Sequence, residues 1–83
     1  MKQSDYNSCL LYLLYLSKSN MIFLELKIDE YPSVQEVPSG LYEEILLETD
    51  KYYKIHNKLS KYFASESNVD KHLKMFEKQV AKA

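Results

Sequence analysis

The chain has 83 residues, a net charge of −1, one cysteine, one glycine and no tryptophan, and all eleven of its basic residues are lysine. One cysteine excludes an internal disulfide and, with two histidines, cannot complete a four-ligand zinc motif, so a reducing, cytoplasmic setting is expected. A chain of this length buries only about 60% of its unfolded surface, which makes a second copy or a larger partner a natural source of further stability.

Ser4 or Asp5 can cap a first helix over residues 5–17, in which Tyr6, Leu10, Leu13 and Leu14 share one side. The opposite side is not polar: Leu11, Tyr12, Tyr15 and Leu16 cover it. A helix that is apolar all round is normally buried all round, and so short a chain has little else with which to wrap it. These four residues are therefore the expected partner surface, with the two tyrosines as amphipathic anchors. The alternative use for that face is burial between the two later helices of the same chain. The uninterrupted apolar run Cys9 to Leu16 is eight residues, far below the roughly 20 that cross a bilayer, so no membrane contact is expected. Lys2, that run and Ser17-Lys18-Ser19 imitate a secretory leader, but Asp5 and the two tyrosines argue against one.

Ser17-Lys18-Ser19-Asn20 is a cluster of poor helix formers that reads as the end of the first helix. In Met21 to Ile28, alternation places Ile22, Leu24, Leu26 and Ile28 on one side of a strand, which could pair with residues 33–37 as a short β-hairpin. The competing reading continues the first helix from Asp5 to about Ile28 and folds it back on the second, an all-α hairpin plus a third helix. Pro32, Pro38 and Gly40 interrupt helical structure and start the second helix near Ser39.

Residues 40–64 carry the longest helical signal. Leu41, Ile45, Tyr52, Ile55, Leu59 and Phe63 fall within about 80° on a helical wheel, while Lys51, Lys54, Lys58 and Lys61 fall elsewhere. Residues 1–50 hold three lysines and nine acids, −6, and residues 51–83 hold eight lysines and three acids, +5. Much of this asymmetry is helix chemistry: Glu43, Glu44 and Glu48 precede the lysines in the direction that suits the helix dipole, and Asp50 can pair with Lys54. Ser67 and Asp70 make an approximate capping box for a third helix over 68–81, with Val69, Leu73, Phe76 and Val80 as its apolar stripe. The fold expected is mainly α, a single helical domain over residues 1–83 built on the long second helix.

Glu48, Tyr52 and His56 lie at i, i+4 and i+8 along the edge of the apolar face, a spacing that can bring a carboxylate, a phenol and an imidazole together. No nucleophile with an adjacent base and no glycine-rich phosphate loop accompanies them, so no enzyme, cofactor or metal is implied. Cys9, at the head of the apolar run, reads as a small buried hydrophobe. Lys51, Lys54, Lys58 and Lys61, with Lys71, Lys74 and Lys78 on the third helix, are candidate nucleic-acid contacts, and Tyr53 or Tyr62 could stack on bases. The absence of arginine and the acidic first half weigh against that use. The function expected is a non-enzymatic protein–protein interaction module, working as a homo-oligomer or as an accessory or inhibitory subunit of a larger assembly. A nucleic-acid-associated accessory protein is the alternative.

Overall fold

The computed structural model describes residues 1–82. Three helices follow one another, α1 (Gln3–Asp29), α2 (Ser39–Phe63) and α3 (Glu66–Lys82), with a 3-10 turn, Val34–Glu36, between the first two. The chain is mainly α, a small three-helix arrangement, with no strand among the described residues.

Residues 21–28 continue α1, as the all-α hairpin alternative has it, and this corrects the β-hairpin and the end of the first helix at Ser17. The polar cluster does not break the helix because three of its four side chains are used between helices. The Ser17 hydroxyl donates to the Glu48 carbonyl at 3.2 Å, the Asn20 amide donates to Glu48 Oε1 at 3.2 Å, and Lys18 Nζ meets Glu77 Oε1 at 2.9 Å. Glu25 and Lys27, awkward in a fully packed helix, are exposed here because nothing covers the outer face of this part of α1. The helix also starts earlier than expected: Lys2 is its N-cap, no side chain caps it, and Ser4 and Asp5 sit in its first turn.

α2 starts at Ser39 as expected, its first free amides bonding the Pro38 carbonyl at 3.1 and 3.4 Å. It ends at Ala64, which takes the left-handed conformation (φ 67°) usually given to glycine at this position. The turn into α3 is held by its own polar groups. Asn68 N–H donates to Ser65 Oγ at 3.1 Å and Asn68 Nδ2 donates to the Phe63 carbonyl at 2.7 Å, so one residue closes α2 while it opens α3. Ser65, not Ser67, is therefore the capping hydroxyl, and Asp70 is left to bond elsewhere.

The core lies where all three helices meet. Leu10 and Leu14 of α1, Leu59 of α2, and Val69 and Leu73 of α3 are buried together, ringed by Leu11, Tyr15, Tyr52, Ile55 and Phe63. At 1.5 Å per residue α1 and α2 are each about 40 Å long and α3 only about 25 Å, so α3 cannot cover the whole hairpin. Its contacts with α1 run through Phe76, against Tyr12 and Tyr15, and Glu77, against Lys18. Beyond them the hairpin continues as two helices alone, and among the described residues of that part Leu24 is the one buried hydrophobic residue.

Candidate functional site

The structure divides the apolar quartet of the first helix. Leu11 and Tyr15 pack against the core, and the rings of Tyr12 and Tyr15 meet Phe76 edge-on at 6.1 and 5.7 Å. Tyr12 keeps 50% of its surface exposed and Leu16 keeps 39%. Intrachain burial thus takes up Leu11 and Tyr15, and of the four it is Tyr12 and Leu16 that stay open.

Leu16 belongs to a larger feature. On the side of the α1–α2 seam where it lies, Leu13, Leu16 and Ile55 form one stretch of an open groove and Phe23, Leu24 and Leu47 form the next. The two stretches share Asn20, Glu48 and Lys51, which makes them one continuous channel. Leu13, Phe23 and Leu47 are exposed by 48%, 57% and 64%, high values for large apolar groups lying so close together. Lys51 and Lys54 flank the first stretch and Glu44 and Lys27 the second, giving the apolar floor a charged edge. Phe23 and Leu47 were not singled out from sequence, because residues 21–28 had been open to a strand reading and the two leucines at 46 and 47 fall outside the main stripe of α2; Glu44 was read there for its place near the start of α2.

Glu48, Tyr52 and His56 do not act as one group. Glu48 lies across the seam, bonded to Asn20 and 3.7 Å from Lys51 on its own helix, which accounts for an acid on the apolar side of α2. His56, buried, donates from Nε2 to Asp70 Oδ1 at 3.0 Å and so ties α2 to α3. The Tyr52 ring lies 5.8 Å from that imidazole. Burial, and then the Asp70 charge, raise the Tyr52 hydroxyl above its ordinary 10.0, with Lys18 opposing them. Tyr52, His56 and Asp70 form a polar tie between helices and line neither stretch of the groove, whereas Glu48 lines both. Cys9 is exposed, not the buried hydrophobe its sequence context suggests, since the underside of α1 is taken by Leu10 and Leu14. Among the described residues no cluster of three metal-ligating side chains forms.

All seven candidate nucleic-acid lysines are exposed. Lys54 pairs with Asp50 at 2.8 Å, as the spacing predicts, and this hydrogen bond raises the lysine above its ordinary 10.5. Lys51 is held near Glu48, while Lys58, Lys61, Lys71, Lys74 and Lys78 have no ion-pair partner among the described residues. The continued α1 also changes the membrane arithmetic. At 27 residues it is long and apolar enough, by length and composition alone, to cross a bilayer, which the eight-residue run did not suggest. In this fold the side bearing Leu10, Leu14, Ser17 and Leu24 is covered by the other helices. Comparison with protein-family models, curated proteins and solved structures returned no match.

Proposed function

We propose that the chain is a small, non-enzymatic protein–protein interaction module, working with another protein or with itself in a reducing, cytoplasmic setting. The observation that carries this reading is the open groove along the α1–α2 seam, where the large apolar side chains of Leu13, Leu16, Phe23 and Leu47 stay exposed close together. An apolar floor with a charged edge has the anatomy of a recognition surface: burial of the floor supplies affinity and the edge supplies orientation. The hydrophobic core of five residues is small, so added burial at the groove would matter to stability as well as to binding. The polar tie of His56 to Asp70 supports a structural use for that pair.

A photo-activated cross-linker placed at Leu16 tests this in cells that make the protein. The expected result is a discrete protein adduct, of the chain to itself or to one other polypeptide, lost when Phe23 is changed to Ser. Failure to form any protein adduct there would overturn the reading. The exposed lysines support the nucleic-acid alternative, and the same cross-linker at Lys78 distinguishes it: nucleic-acid adducts that weaken steeply with salt would favour that use over the groove.

A further inference from the structure

The groove has a sequence along it as well as a floor. On α2, Glu44, Leu47, Lys51, Lys54 and Lys58 fall within about 100° of one another, so they form one side of the helix. Charge changes sign along that side, acidic before residue 51 and basic after it. Residue 51 is also the midpoint of α2, which runs from Ser39 to Phe63. The positions around it match in pairs of opposite or apolar character. Glu44 and Lys58 stand seven residues either side of Lys51, Leu47 and Ile55 four, and Glu48 and Lys54 three.

Such a side is complementary to its own reverse. We propose that a second copy of this chain docks antiparallel on the groove, about a two-fold axis passing near Lys51. It rests on the reading of the chain as an interaction module and names the partner. Each Glu44 then faces Lys58 of the other copy, twice per dimer by symmetry, and Leu47 covers Ile55, burying the apolar floor that one chain leaves open. A parallel mate would set Glu44 against Glu44 and Lys58 against Lys58, and like charges opposed across an interface cost several kcal/mol. Lys51 sits at the axis itself, where each copy's Glu48, at 3.7 Å, offsets the approach of the two ammonium groups. The paired hairpins make a four-helix layer, the arrangement in which an all-round apolar helix such as α1 finds neighbours on more than one side.

Sedimentation of the purified full chain over about 1–300 μM, a range that brackets micromolar affinity, tests the arrangement. A dimer is expected. Glu44→Lys and Lys58→Glu should each weaken it at least tenfold, the double swap should restore most of that loss, and Leu47→Glu should abolish it. Both swapped residues are exposed, so the single variants keep the monomer fold, which the circular dichroism of each verifies. A chain that stays monomeric throughout, or a double swap no better than the singles, overturns the proposal. So does binding of monomer to anionic phospholipid vesicles through Leu47 in place of dimerisation. In each of those cases a protein adduct at Leu16 in the cross-linking experiment still leaves the interaction-module reading standing, and its loss removes both.

Discussion

The two ends of the α1–α2 hairpin have similar apolar content and different fates. At the end where α3 packs, Leu10, Leu14, Leu59, Val69 and Leu73 are all buried, and a histidine and an aspartate are drawn into a bond between helices. At the turn end Ile22, Phe23, Leu26, Leu46 and Leu47 remain half exposed or more, and Leu24 is buried alone. The helices themselves are the same two. The difference is the number of helices in the cross-section: two helices shield one narrow seam from water, whereas three enclose a volume. Burial of the core in this molecule is therefore set by the length of its third helix.

Core truncation gives the largest test of that contrast. Leu59→Ala at the three-helix end should cost about 3–5 kcal/mol, because the surrounding residues are packed and cannot close the cavity, whereas Leu24→Ala at the two-helix end should cost about 2 kcal/mol or less, because open neighbours can collapse. Urea unfolding of the two variants at a concentration below any association measures both. Equal costs would mean that the turn end is as tightly enclosed as the other.

The join between α2 and α3 offers a smaller effect of opposite sign. Ala64 has φ 67°, a conformation that strains any residue with a Cβ and that glycine adopts freely. Ala64→Gly should stabilise the three-helix end by about 1 kcal/mol, read as a higher urea midpoint, the gain being limited by glycine's extra freedom in the unfolded chain. A loss of stability would show that the turn is held in some other way.

The smallest effect is alkaline. Folding raises the Tyr52 hydroxyl above 10.0, first by burial and then by the Asp70 charge. The folded state therefore holds this proton more tightly than the unfolded one. Its contribution is complete below the unfolded value and is lost as pH rises through the folded value. Melting temperatures between pH 9 and 11.5 should fall less steeply in Tyr52→Phe than in the parent chain, and identical slopes would place Tyr52 outside the packed end.

Much of the fold was legible in the residues. The stripe of Leu41, Ile45, Tyr52, Ile55, Leu59 and Phe63 announces α2, and Val69, Leu73 and Phe76 announce α3, because helical periodicity is a local property that survives without a tertiary context. The segment around Ser17 to Ile28 was not legible. Serine and asparagine lower helix propensity by a few tenths of a kcal/mol each, and bonds to Glu48 and Glu77 from distant parts of the chain outweigh so small a preference. The groove was half legible: Leu16 stood out as apolar on an unexpected face, while Leu47 and Phe23 became meaningful once α1 was seen to continue.

By itself the sequence determined three helices, most of the inward stripes of α2 and α3, the proline-marked connection and the reversal of charge along α2. Only the tertiary structure decided which of α1's apolar residues are covered, that Glu48 bridges a seam, that His56 is held by Asp70, and that one side of the hairpin stays open. The reason is geometric. A helix encodes its own faces in its periodicity, but which face meets another element depends on where a 17-residue α3 lies against a longer hairpin, and no local pattern carries that information.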